Sequence, residues 1–366
     1  MCNNKKGSIK MCLKLFIPGP VDVEPDVLEK LSTPQIGHRS KDASDLQGRI
    51  AEKLQTLMYT KNLIILSTSS GSGIMEMSIR SCTKKRVAVF SVGAFGDRWY
   101  KMATSNNIPA DYFKSEPGMP TTPEMVEEAL KTGKYDVVTV THNETSAGLM
   151  NPVHEIGEVI KKYPNVLYLV DAVSSLGGAK IEADKAGIDI LLSSTQKCLG
   201  VPPGLAMASV SERAIERAKT VEYRGFYLDL VNVAKKAQEK NQYPTTPSTP
   251  HMWALDYKLD KILHHEGLQN RFDRHAKLAQ IVRDWATKHF ALYAKEGYYS
   301  NTVTTIMNTK GFSVADLNKE LGKRGYVISN GYGDLKEKAF RIAHMADRKE
   351  EELQALLREI EDIWNL

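Results

Sequence analysis

VLYLVDAVSSLGGAKIEADKAGIDILLSSTQKCLGVPPG occupies residues 166–204. Two short apolar runs, LYLV and DILL, each break into small and hydroxyl residues, as parallel strands buried on both faces do at their carboxyl ends. The first break carries Asp171 and the second carries Lys197, one strand–helix–strand step later. Strand ends one such step apart open onto the same crevice of an α/β sheet, so an acid and a lysine are expected to face each other there. Burying an ammonium is costly unless it is paired, neutralised or used covalently.

The same alternation extends on both sides. NLIILST (62–68), RVAVFSV (86–92) and DVVTVTH (136–142) read as further buried strands, short and rich in Val, Ile and Leu. TPEMVEEALKTG (122–133), with its Thr cap, early Glu and terminal Gly, reads as an intervening helix. The pattern from about residue 46 to 220 predicts an α/β domain with a mainly parallel sheet. Beyond it comes a proline-rich stretch containing YPTTPST, then two long helical patterns. From about residue 300, TVTTIMN, YVISNGYGD and AFRIAHM read as strands of a smaller α+β domain. That domain closes on a helix with Leu353, Leu356, Leu357 and Ile360 on one face.

Bulk properties are those of an ordinary globular protein: 366 residues, 42% hydrophobic, 25% charged, formal net charge +5. Positive and negative residues are interspersed, so no nucleic-acid surface is expected. No run approaches the roughly 20 apolar residues that span a bilayer, and the basic N-terminus lacks the apolar stretch of a signal peptide. The four cysteines, Cys2, Cys12, Cys82 and Cys198, show no paired spacing. Reduced thiols, no metal cluster, no membrane partner and a cytoplasmic location are the expectations.

Four features surround Lys197. Asp171 ends an apolar strand and, read alone, is either a helix cap or a charge held for a cation. STSSGSGIMEMSI places Ser70, Gly71 and Ser72 where a strand gives way to a helix, a turn whose amides suit a phosphate; it matches neither of the common nucleotide-binding glycine patterns. SVGAFGDRWY sets Phe95 between glycines after another strand, where an aromatic ring can lie flat on a planar ligand or simply fill the core. Lys197 itself is the fourth. Pyridoxal 5′-phosphate answers all of them: its aldehyde takes a lysine, its ring nitrogen an acid, and its phosphate a helix N-terminus.

On these residues the chain resembles the class V aminotransferases of fold type I, close to the alanine–glyoxylate and serine–pyruvate enzymes. The motifs PGP, GHR, SSGSGIME, GAFGDR, HNETSAG, VDAVSSLGG, SSTQKCLGVPPG and YPTTPST follow one another in that family's order, from residue 16 to about 345. The resemblance implies a large domain around a mainly parallel seven-stranded sheet (residues 21–265). It adds a small α+β domain (266–366) that takes in residues of the N-terminal segment 1–20.

It also implies roles. Lys197 would form the internal aldimine and shuttle the α-proton. Asp171 would pair with the pyridinium, with Val173 under the ring and Phe95 on its other face. Thr145 would bond near the ring hydroxyl, and Gln196 would meet the phosphate beside Ser70, Gly71 and Ser72. Tyr243 and Thr246 would reach the phosphate of a neighbouring subunit, which makes the enzyme a homodimer. Arg341 would grip the substrate carboxylate through its two-pronged guanidinium, although an arginine in a strand is, taken alone, more simply a surface residue at a sheet edge. Gly19 would let the backbone approach the substrate.

The implied activity is transfer of an amino group from alanine or serine to glyoxylate or pyruvate. Phosphoserine aminotransferase is the alternative, with His38 and Arg39 reading a substrate phosphate. A cysteine desulfurase needs a mobile-loop cysteine, and no cysteine follows Cys198. A non-catalytic cofactor-binding protein is disfavoured by the presence of Lys197, Asp171 and Arg341 together. Cys198 is read as a packed thiol, His142 as a loop-shaping residue, and His264 and His265 as helix residues without metal partners.

Overall fold

The computed structural model describes residues 13–366, together with a two-residue pairing of Cys2–Asn3 with Ile9–Lys10. Two sheets organise the chain. We label the strands β1 Lys14–Phe16, β2 Leu63–Ser67, β3 Val87–Ser91, β4 Ala110–Lys114, β5 Val137–Thr141 and β6 Leu167–Asp171. They continue as β7 Ile190–Ser194, β8 Ala206–Val210, β9 Ala291–Leu292, β10 Val303–Met307, β11 Tyr326–Asn330 and β12 Ala339–Ala343.

The large sheet has seven strands in the order β2-β8-β7-β6-β5-β3-β4. All neighbours are parallel except β8, which runs antiparallel to both β7 and β2. Residues of β3, β5, β6, β7 and β8 are buried along their whole length, as expected where helices cover both faces. The predicted helix spans Pro123–Lys131, with the Thr122 hydroxyl accepting from Met125 N at 3.3 Å.

Two strands of the large sheet escape the apolar-run criterion. β4 is an edge strand of half-exposed residues, so its sequence ADYFK carries no apolar run. β8, AMASV, is fully buried but built of small side chains, and alanine is a poor strand signal.

The small sheet has the order β9-β10-β12-β11-β1. Its fifth strand, β1, comes from the start of the chain and pairs in parallel with β11. Leu353, Leu356, Leu357 and Ile360 of helix Glu350–Trp364 all pack into the core against this sheet. β12 is an interior strand, flanked by β10 and β11, and Arg341 on it is only 7% exposed. The surface-arginine reading therefore fails: an edge would have left the guanidinium in water. Among the described residues no helix is long and apolar enough to cross a membrane, and no group of His, Cys, Asp or Glu could hold a metal ion.

Candidate active site

The carboxyl ends of β2, β3, β5, β6 and β7 lie along one edge of the large sheet, and the turns that follow them carry the residues singled out above. After β7, Lys197 donates through Nζ to the carbonyl of Pro18. The Pro18–Gly19 turn lies against the lysine stem: Gly19 has φ +96°, and a Cβ there would sit 2.6 Å from Lys197 Cδ. Val21 N donates to Gln196 O at 3.3 Å and ties the same turn to β7's exit. Burial, with the Arg341 and Arg98 charges acting the same way, pushes the Lys197 amine down to about 8, against a smaller opposite pull from Asp171.

After β6, Asp171 is 4% exposed and accepts from Val173 N at 2.8 Å. Burial is the main cause that raises its carboxyl to about 6, and the Glu144 charge adds to it. Val173 reaches the start of helix Gly71–Cys82, where a Cβ on Gly71 would fall 2.4 Å from its Cγ2. Only glycine fits there, which keeps the helix N-terminus close to the acid-bearing turn. Ser70 is the cap residue and is exposed, without a side-chain capping bond. Ser72 accepts a hydrogen bond from Arg98 Nη1 at 2.8 Å.

After β5, the Thr145 hydroxyl meets Ser174 Oγ at 2.7 Å, which joins the β5 and β6 turns. The neighbouring Glu144, inside HNETSAG, has no sequence mark of its own. Fully buried, it accepts from Phe95 N and Gly96 N at 3.0 Å each, and from Ser146 N and Oγ at 3.1 and 2.5 Å. Burial raises its carboxyl; four donors and the first turn of helix Ala94–Ser105 nonetheless give it the setting of a structural anion. Its effect is to fix Phe95 at the mouth of the site. His142, buried and paired with Ser175 Oγ at 2.8 Å, is pushed down to about 3 by burial and stays neutral.

Phe95 is half-buried and sandwiched by charge and ring. The Arg98 guanidinium lies 4.7 Å over it, and Tyr332 is 5.9 Å away at 43°. Arg341 donates through Nε to Asn330 O at 3.1 Å and through Nη1 to Thr145 O at 3.3 Å, so the small-sheet arginine reaches the large-sheet turn. Arg98 and Tyr332 had no sequence signal beyond their motifs.

The remaining residues lie further out. Arg39 donates to Tyr243 O and, at 2.9 Å, to Pro244 O, so its fork holds the proline-rich arm. His38 is half-buried beside it. Tyr243 is 5% exposed and Thr246 is exposed; the arm returns to the sheet where Ser248 N donates to Thr68 Oγ1 at 3.0 Å, next to the Ser70 turn.

Several buried polar atoms around these turns have no hydrogen-bond partner among the described residues: Ser194 Oγ, Gln196 Oε1 and both amide atoms of Asn143. Buried polar groups are normally paired. Orphans gathered around a lysine, an acid and a helix N-terminus fit a polar, anionic, ring-bearing ligand, which pyridoxal phosphate is.

Comparison with known proteins follows the same line. The family model described as Aminotransferase class-V matches residues 30–355. The chain is 42% identical over 355 residues to an uncharacterized aminotransferase of Methanocaldococcus jannaschii, which covers 95% of this chain and 91% of that protein. It is 30% identical over 353 residues to the serine–glyoxylate aminotransferase of Methylorubrum extorquens, with 92% and 87% covered. The crystal structure of alanine–glyoxylate aminotransferase from Nostoc sp. aligns with a TM-score of 0.92 at 26% identity, over 99% of this chain and 98% of that one.

Proposed function

The chain belongs to the class V aminotransferases, pyridoxal-phosphate-dependent transaminases of fold type I, and on that premise we propose that it moves the amino group of L-alanine or L-serine to glyoxylate or pyruvate. The observation that carries the donor class is the disposition of the two candidate anion readers. Arg341 is buried with Nη2 uncommitted among the described hydrogen bonds, ready for an α-carboxylate. Arg39, which a phosphoserine side chain would need, has both outer nitrogens bonded to arm carbonyls. Small uncharged donors are favoured by that arrangement, and relatives named for serine and alanine support it.

In this reading Lys197 carries the amine that exchanges with the donor and moves a proton at Nζ. An amine held near pKa 8 can do both at neutral pH. Asp171 holds a negative charge at the buried end of the crevice, Val173 and Phe95 provide its two apolar faces, and Thr145 orients through its hydroxyl. The amides and hydroxyls of Ser70, Gly71 and Ser72, with Gln196, receive the phosphate. When bound, the cofactor supplies an aldehyde and a ring that delocalises charge from the substrate α-carbon. Arg341 seats the carboxylate through Nη2 in a charge-assisted bond, and the close-packed Gly19 turn excludes water from the lysine.

The arm with Tyr243 and Thr246 belongs, in this proposal, to a homodimer in which each copy completes the other's phosphate site. Exposed Tyr223 and Phe226, 92% and 84% accessible, lie in the segment leading to that arm and favour a covered surface there.

The test is spectroscopic. Purified protein reconstituted with the cofactor should lose its visible absorbance band on adding alanine or serine and regain it with glyoxylate or pyruvate. A response confined to phosphoserine or glutamate would replace this donor assignment with the phosphoserine one.

A further inference from the structure

Across the mouth of the crevice runs a row of two aromatic rings flanked at each end by an arginine. Arg98 lies 4.7 Å over Phe95, Phe95 is 5.9 Å from Tyr332, and the Arg341 guanidinium is 5.6 Å from the Tyr332 ring centre. Its ends are the turn of Ser72 and the candidate carboxylate anchor. Tyr332 is the member that joins the two sheets, since it follows β11 of the small sheet while Phe95 follows β3 of the large one.

The backbone beneath Tyr332 is rigid. Gly331 N donates to Ala339 O at 2.8 Å, and Leu335 N donates to Tyr332 O at 3.1 Å. Asn330 Oδ1 accepts from both Gly331 N and Glu337 N at 2.8 Å. A Cβ on Gly331 would fall 1.9 Å from Leu335 O, so the loop is folded as tightly as glycine permits. The ring it carries packs against Phe95 and Arg341, and the residue is 44% exposed.

We propose that Tyr332 is a specificity-determining residue that limits the length of the donor side chain. The inference rests on the reading of Arg341 as the carboxylate anchor. A donor seated on Arg341 with its amino group at Lys197 has its α-carbon between them, and its side chain must enter the space bounded by Phe95 and Tyr332. Because Tyr332 packs against both the anchor and the residue proposed to cover the ring, each added methylene runs toward its aromatic face. Discrimination per methylene in such a pocket is about 10- to 200-fold.

The experiment measures kcat and KM, with glyoxylate as acceptor, for L-alanine, L-2-aminobutyrate, L-norvaline and L-norleucine. It compares the wild type with Tyr332→Ala, Tyr332→Leu and Tyr332→Phe. The expected result is a steep fall in kcat/KM with length in the wild type. In Tyr332→Ala the norvaline-to-alanine ratio rises at least about tenfold, through a lower KM for the longer donor. Tyr332→Leu gives an intermediate rise, and Tyr332→Phe keeps the wild-type discrimination. Turnover of alanine with a ratio that moves less than threefold in both Tyr332→Ala and Tyr332→Leu overturns the assignment of Tyr332 alone. Wild-type protein that turns over none of the four donors overturns the donor reading on which the inference stands.

Discussion

Gly19 and Lys197 are packed so closely that no side chain fits between them: a Cβ on Gly19 would lie 2.6 Å from Cδ, 2.8 Å from Nζ and 2.9 Å from Cε of the lysine. The backbone at Gly19 is also left-handed, at φ +96°, a conformation that costs other residues about 1–3 kcal/mol. Gly19→Ala should therefore displace the amine rather than unfold the chain. A misplacement of about 1 Å in a reacting group can lower rates about 100-fold. Steady-state rates should fall by that order while the circular-dichroism melting curve keeps a single cooperative transition; a variant with wild-type kcat/KM would mean the turn does not set the lysine's position.

The depressed basicity of Lys197 makes a second prediction. Burial disfavours the ammonium, so the amine is protonated below about pH 8 and neutral above it. Only the neutral amine captures an aldehyde. With that midpoint about a tenth of the lysines are neutral at pH 7 and about nine tenths at pH 9. Capture of pyridoxal phosphate by cofactor-free protein, followed by stopped-flow absorbance, should accelerate about tenfold between pH 7 and 9 and then level off. A rate that climbs about 100-fold over the same interval without a plateau would show an ordinary surface-like lysine.

Asp171 carries the opposite cost. Its carboxyl, raised by burial from 3.8 to about 6, binds more protons in the folded than in the unfolded chain between those values. Stability of the cofactor-free protein is thus lost as pH rises through that window, by about 3 kcal/mol in full above pH 6. Asp171→Asn removes the charge and can still accept from Val173 N. In urea denaturation of cofactor-free protein, the variant should be the more stable one at pH 7, and the advantage should vanish near pH 4, while transamination drops by at least about 100-fold. An advantage equal at both pH values would locate its origin elsewhere than in this carboxylate.

That Asp171, Lys197 and Phe95 stand out in the sequence has a physical reason, whereas Thr145 is named only by the family resemblance. Interior parallel strands are written as unbroken Val, Ile and Leu runs, so the residue that ends each run is conspicuous, and the topology sends all those ends to one edge. Glu144, Arg98 and Tyr332 leave no such mark. Glu144 acts on amides 48 and 49 positions away in the chain, Arg98 acts through a serine and a ring, and Tyr332 acts from the other sheet. A contact formed only by folding has no local period or spacing. The same holds for β8, whose small side chains are dictated by close packing, and for β1, whose three residues pair with a strand more than three hundred positions later.

Arg271 shows how far such unmarked residues govern the site. It is fully buried, and its guanidinium donates through Nε to Gly177 O at 2.9 Å and through Nη2 to Cys198 O at 2.6 Å. Nη1 bonds Glu266 at 2.6 Å and Asp347 at 3.2 Å. One side chain thus clamps the turn after Asp171 and the residue beside Lys197, and fastens both to the segment after β12. Truncation to Ala would leave two carbonyls and two carboxylates without that partner, a loss of about 3–5 kcal/mol for breaking a buried ion pair. Arg271→Lys keeps the charge and loses the fork, so it should restore part of the stability but not the hold on both turns. A purely structural role would leave the chemistry of the lysine alone in the folded fraction. A positioning role predicts that Arg271→Lys, although folded, shifts the midpoint of pyridoxal phosphate capture upward from about 8 toward the value of a free lysine, because a loosened turn lets water reach Nζ. A capture midpoint unmoved in folded Arg271→Lys protein would confine Arg271 to stability.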